Sequence, residues 1–201
     1  MFTRTEKSAP RSAHKLSQAL MAAAVSALAL TALPVGAQGS SGDTGYGSSA
    51  NGAMVARDDS KMMADLAHAN IAEIEAGKMA LEKSKSEDVR KFAQQMIDEH
   101  TSALKELQTL AQAKGVKLPE GTDLKHKTTA LALKVMTGTT FDNQYMKRAG
   151  VKDHEQTFLL LKKMEHSAKD AELKAMATKM LTTVQDHLKM AQQAAPMTDK
   201  K

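Results

Sequence analysis

The sequence predicts an all-α protein, an antiparallel four-helix bundle with a short extra helix in the crossover between helices 2 and 3. Three observations carry that expectation. Four long segments place apolar residues at alternating three- and four-residue steps, each behind a polar or acidic start signal. Two pairs of these segments are joined by links of about three residues, which makes the partners antiparallel neighbours, while the pairs are separated by a much longer connection. The stretch from Ser86 to Met96 also echoes Asp170 to Met180 in length and pattern, as two similar helical hairpins would. Nothing in the chain reads as a strand.

The first 37 residues stand outside this scheme. Arg4, Lys7, Arg11 and Lys15 form a basic start, the 15-residue run Ala19 to Leu33 is small and apolar, and Val35-Gly36-Ala37 suits a signal peptidase. Residues 1–37 are therefore expected to be a secretory signal peptide. The run falls short of the roughly 20 residues needed to span a bilayer. With no cysteine to carry a lipid, no stable membrane insertion is expected after cleavage. Removing the peptide lowers the formal charge from +5 to +2. The remaining lysines alternate with acids along helix faces, so nucleic acid is not an expected partner. The absence of cysteine excludes a disulfide framework and thiolate metal sites. Residues 38–57 open with nine Gly or Ser in Gln38 to Met54 and read as a flexible tether to the domain at 58–195. Residues 196–201 read as a tail.

Asp58-Asp59-Ser60 is expected to cap helix 1, from Lys61 to about Lys83, with Met63, Leu66, Asn70, Glu73, Gly77 and Ala80 along its seam. Helix 2 opens at Ser86, carries Glu87 and Asp88 beside its positive end, and stops at Gly115. Val89, Phe92, Ala93, Met96, Ala103, Leu107, Leu110 and Ala111 form its stripe, and His100 interrupts it. Pro119 and Gly121 break the chain before a short helix from Asp123 to Met136. Thr139-Thr140 is expected to cap helix 3, Phe141 to about Ser167, whose interior Gly150 costs about 1 kcal/mol against alanine. Its seam includes His154 and Leu161. Asp170 caps helix 4, Ala171 to Ala194, with Leu173, Met176 or Ala177, Met180, Val184, His187 and Ala191 facing inward.

One polar residue therefore falls on each seam at mid-helix. Glu73 lies 13 residues before Ser86 and His100 14 after it; His154 lies 16 before Asp170 and His187 17 after it. With both hairpin turns at one end of the bundle, the four side chains come within roughly 6 Å of one level. Glu73, His100, His154 and His187 are the candidate ligands for one transition-metal ion: zinc, iron, copper or nickel. The same layer also reads as neutral histidines hydrogen-bonded to Glu73, Asn70 or Thr183, and the two readings stand level. No di-iron centre is expected, because the residues three before His100 and His187 are Ile97 and Val184 rather than glutamates. No nucleophile with a base and no phosphate loop is present, so an enzyme ranks behind both a ligand-binding bundle and an envelope interaction protein. Asp142 and Tyr145 are expected at the bundle end, far from the histidines. His14, His68 and His126 have no evident partner, and Met62-Met63 near His68 leaves one copper-suited cluster open.

Ala72-Glu73-Ile74, Phe92-Ala93 with Met96, Asp98-Glu99-His100, Gly115 to Pro119, Phe141-Asp142 with Tyr145, His154 and His187-Leu188 together resemble a bacterial exported ferritin-like family of unknown function. Its members are often labelled outer membrane proteins. The resemblance covers about Asp58 to Ala194 and implies a ferritin-like bundle outside the cytoplasm, periplasmic or secreted, without an assigned activity. Two readings follow: a binding bundle with a buried Glu/His layer, or a structural or stress-related envelope protein, partnered through its surface, whose layer is architectural.

Overall fold

The computed structural model describes residues 55–194. The expected signal peptide (1–37), nearly all of the tether, and the tail at 196–201 lie outside the described residues. The described residues are all helical apart from their links. They form α1 (Arg57–Lys83), α2 (Glu87–Ala113), α3 (Leu124–Lys134), α4 (Gly138–Tyr145), a π-helical segment (Met146–Asp153), α5 (His154–Ser167) and α6 (Ala171–Ala194). No helix among them is long and apolar enough to cross a membrane.

Local chemistry sets most boundaries as expected. Ser86 Oγ accepts from the Val89 N–H at the start of α2, Asp123 Oδ1 from His126 N–H at the start of α3, and Asp170 Oδ1 from Leu173 N–H at the start of α6. Gly115, at φ 67°, takes the left-handed conformation that ends α2. Two starts differ. α1 begins at Arg57, so the Asp58-Asp59-Ser60 run lies inside the helix. The buried Asp59 carboxylate instead accepts from Lys169 N–H (2.9 and 3.0 Å) and Asp170 N–H (2.7 Å), in the link between α5 and α6. α4 begins at Gly138, immediately before the expected cap, with Thr137 as its N-cap and Gly138 at φ 57°, leaving Thr139 and Thr140 within the helix.

Those Asp59 contacts also correct the expected topology. They place the α5–α6 link beside the start of α1, and the Lys114–Asp170 ion pair (2.8 Å) places it beside the end of α2. The α1–α2 link lies at the other end, where Lys83 Nζ donates to the Met136 carbonyl just before α4. The two hairpin turns thus sit at opposite ends, and the crossover that carries α3 travels the length between them. Mid-helix residues keep nearly the same level under either arrangement, because in helices of 27 residues the middle is equidistant from both ends.

The core divides into two apolar clusters. One, near the α5–α6 link, gathers Met63, Leu66, Leu107, Leu161, Met164 and Leu173. The other, near the α1–α2 link, gathers Val89, Phe92, Met96, Phe141, Tyr145 and Met146. Met62 and Met63 both belong to the first cluster, which makes them packing residues rather than a copper-suited group beside His68. Asn70, Glu73, His100, Asp153, His154, Thr157 and His187 are buried polar residues at mid-height.

Candidate metal centre

The helices that bury the apolar stripes also bury the three imidazoles. His100 of α2, His154 at the start of α5 and His187 of α6 are 1–4% exposed. Their ring centroids are 5.3–5.5 Å apart, and one nitrogen from each lies within 4.8 Å of the others. Among the described residues this is the one such group of three or more histidines or carboxylates.

Hydrogen bonds decide which nitrogen each ring can offer. Asn70 Nδ2 donates to the Leu66 carbonyl (2.8 Å), which leaves its Oδ1 as an acceptor, so His100 Nδ1 donates to it at 2.9 Å. The Ala149 carbonyl can only accept, so His154 Nδ1 donates to it at 2.8 Å. His187 Nε2 donates to the Glu99 carboxylate, also at 2.8 Å. Each ring thus spends one N–H on an oxygen, and the other nitrogen of a neutral ring carries a lone pair. An oxygen accepting from the outer N–H in this way fixes the tautomer and orientation of a metal-ligating histidine. His100 Nε2 is buried with no hydrogen-bond partner. His154 Nε2 faces His187 Nδ1 at 3.3 Å, with both outer nitrogens already donating. Two lone pairs at that separation need a cation or a proton between them. For metal–nitrogen bonds of ~2.0–2.1 Å, the edge of a tetrahedron is ~3.3–3.4 Å, so this pair is spaced as two ligands of one ion.

Burial disfavours charge on these rings. It depresses His100 well below the usual imidazole value, with His154 and His187 adding to the effect, and lowers His154 to about 4. Two neutral, electron-pair-donating rings at neutral pH suit a transition metal.

Glu73 is buried, but the structure places it behind the triad. Its Oε1 is 3.7 Å from His154 Nδ1, the ring's outer nitrogen, and Oε2 has no hydrogen-bond partner. Burial, reinforced by Asp153, raises its carboxyl well above the usual range, the direction of a neutral acid. Tyr145, expected far from the histidines, is fully buried near this group. Its ring lies edge-on to Phe92 (6.2 Å between centroids), Phe92 lies 6.3 Å from His154, and the phenol is pushed well up by burial and by Glu73. The distance estimated from the start of helix 3 missed this because Tyr145 stands only nine residues before His154. His68 Nδ1 contacts the Gly121 carbonyl and His126 Nδ1 contacts Asp123, each at 2.7 Å, so both fasten the crossover.

Three contributors were not expected. Glu99 sits one residue off the seam and reads as solvent-facing, and no sequence spacing pairs it with His187. The Ala149 carbonyl becomes His154's partner within the π-helical segment, a feature that often marks functional sites. Its one sequence trace is the interior Gly150, where an added Cβ would lie 3.0 Å from Ala191 Cβ. A cleft of about 180 Å³ between α2 and α6 reaches His100 and His187, with Glu99, Ala103, Thr183 and Val184 on its walls.

The chain belongs to a family described as Domain of unknown function (DUF4142), whose model matches residues 45–194. No curated protein matches the sequence. Among solved structures, a DUF305 fragment from Deinococcus radiodurans is similar, with a TM-score of 0.64 at 11% identity over 71% of this chain and 98% of that one. CopM in its Cu(II)-bound form is also similar, with a TM-score of 0.58 at 17% identity over 69% of this chain and 95% of that one. At these identities the likeness concerns the fold.

Proposed function

We propose that this chain is an exported, periplasmic or secreted, ferritin-like four-helix-bundle protein that holds one transition-metal ion through His100, His154 and His187. One observation carries the reading: each ring donates one N–H to a protein oxygen, His154 Nε2 and His187 Nδ1 face each other at 3.3 Å, and one nitrogen of each of the three buried rings lies within 4.8 Å of the others. A core without a cation would leave His100 Nε2 unpartnered, at a cost of about 1–3 kcal/mol. Zinc, iron, copper and nickel all accept three imidazoles. The likeness to a copper-bound protein makes copper the first metal to test. Glu73, one of the four expected ligands, is assigned to the shell behind His154.

The test is metal analysis of protein purified without a histidine tag, beside His100→Ala and His187→Ala. About one ion per chain in the native protein and almost none in the variants is expected. Equal, negligible metal in all three would overturn the reading. The alternative, an envelope interaction protein with an architectural layer, draws on the contact between His154 Nε2 and His187 Nδ1, which a shared proton would also satisfy. In that case His100→Leu keeps the fold, and added copper or zinc does not raise the melting temperature of the native chain.

A further inference from the structure

Resting on the metal reading above, we infer that the ion keeps one coordination position open toward the cleft between α2 and α6, where it takes water or a small singly charged anion. The protein supplies three inward donors, and the residues that could supply a fourth are committed elsewhere. α1 brings Asn70 and Glu73 to this level, but Asn70 is held between Leu66 and His100, and Glu73 lies at His154's outer nitrogen. Glu99 is bound to His187 Nε2. Three protein ligands with a vacant fourth position distinguish reactive or exchangeable sites from closed structural ones.

The cleft gives that position a direction. His100 and His187 form part of its wall and His154 does not, so the cleft lies against the α2–α6 side of the buried triad. Its volume of about 180 Å³ holds a few water molecules, at about 30 Å³ each, but not a large metabolite. Ala103 and Val184 make part of the wall apolar, Thr183 offers a hydroxyl, and the Glu99 carboxylate disfavours multiply charged anions. Lys179 on the same wall is paired with Glu106 at 2.8 Å and is not a free anion-binding cation. Binding there forms one coordinate bond from the incoming lone pair and displaces water, with no change of oxidation state.

The experiment uses the protein loaded with one equivalent of Cu(II) and titrated with azide, read by charge-transfer absorption and electron paramagnetic resonance. A new, saturable azide-to-copper band is expected. Ala103→Phe, which fills the cleft without replacing a ligand, should still bind one copper per chain but lose at least tenfold in azide affinity. Thr183→Phe fills the cleft from α6 and serves as the second variant should Ala103→Phe fail to fold. A copper-loaded native protein blind to azide overturns the inference while leaving the metal site standing. So does a folded cleft-filled variant that responds as the native protein does. Failure of the native chain to take up copper or any other metal overturns the metal reading itself, and the open position with it.

Discussion

The histidine triad has a wet side and a dry side. Toward the cleft, His100 and His187 adjoin open space, and the Glu99 carboxylate that holds His187 is 41% exposed. On the far side, His154 is packed near Phe92, with the buried Glu73 and Tyr145 close behind it and a helix carbonyl gripping its Nδ1. Polar groups on the wet side can trade a lost partner for water, whereas those on the dry side depend wholly on protein. The wet side is therefore suited to exchange of an ion and its ligands, and the dry side to fixing geometry.

The strongest way to break this comparison is to delete one ring from each side and unfold the metal-free variants in urea. His154→Ala removes a fully packed ring together with its hydrogen bond to the Ala149 carbonyl, at an expected cost of about 3–4 kcal/mol. His187→Ala opens a space that the cleft can hydrate and should cost about 1–2 kcal/mol. Equal losses would mean that the two sides are energetically alike. Both variants should lose the metal.

Acid titration sharpens the same contrast. In the unfolded chain a histidine takes up its proton near pH 6.5, but His154 in the fold does so only near 4. Below 6.5 the unfolded state binds more protons, so stability falls as the pH drops from about 6.5 toward 4. His154 alone should remove about 3 kcal/mol of the metal-free protein's stability across that window, and His100 acts in the same direction. Urea unfolding at pH 7, 5.5 and 4.5 checks this. A flat profile would show that the rings are not held neutral.

Much of this construction was legible in the sequence because it is written in helical periodicity. Asn70, Glu73, His100, His154 and His187 fall on seams many of whose apolar members are buried, among them Leu66, Met96, Leu161 and Val184, while Leu110, Val151, Phe158 and Met180 on the same seams are only half-buried. The connection between hairpins was harder, since seam positions say which residues face inward but not at which end a link lies. Asp59 shows why: its side chain serves a turn 110 residues away, while locally it looks like an N-cap. Glu99 and the Ala149 carbonyl escaped for the same reason. Their roles come from tertiary approach and from a π turn, and neither leaves a periodic trace.

A smaller effect is expected at Gly150, which lies in that π turn on the dry side. Helix propensity alone would favour alanine there by about 1 kcal/mol. The added methyl would stand 3.0 Å from Ala191 Cβ on α6, 3.4 Å from Met146 Cε and 3.6 Å from Phe92 Cε1, so α6 must give by a few tenths of an ångström to admit it. Gly150→Ala should therefore be net destabilising by about 1 kcal/mol, visible as a lower urea midpoint with an unchanged slope. A stabilised variant would show that α6 gives way and that the dry side is looser than its packing implies.

The smallest change is expected for Glu73→Gln, and it separates the shell from the ligands. Burial holds this carboxyl toward its neutral form, so an amide of the same shape replaces it without removing a charge that the fold uses. Because its pKa is raised in the fold, native Glu73 contributes stability at low pH and loses it as the pH rises through the folded value. The variant should thus gain slightly at pH 7, by about 1–2 °C in melting temperature, and show a steeper acid loss than the native chain, since the compensation that opposes His100 and His154 is gone. Metal content should stay near one ion per chain. If Glu73→Gln instead loses the metal while remaining folded, the carboxylate turns inward to the ion, and the dry side supplies a ligand as well as a wall.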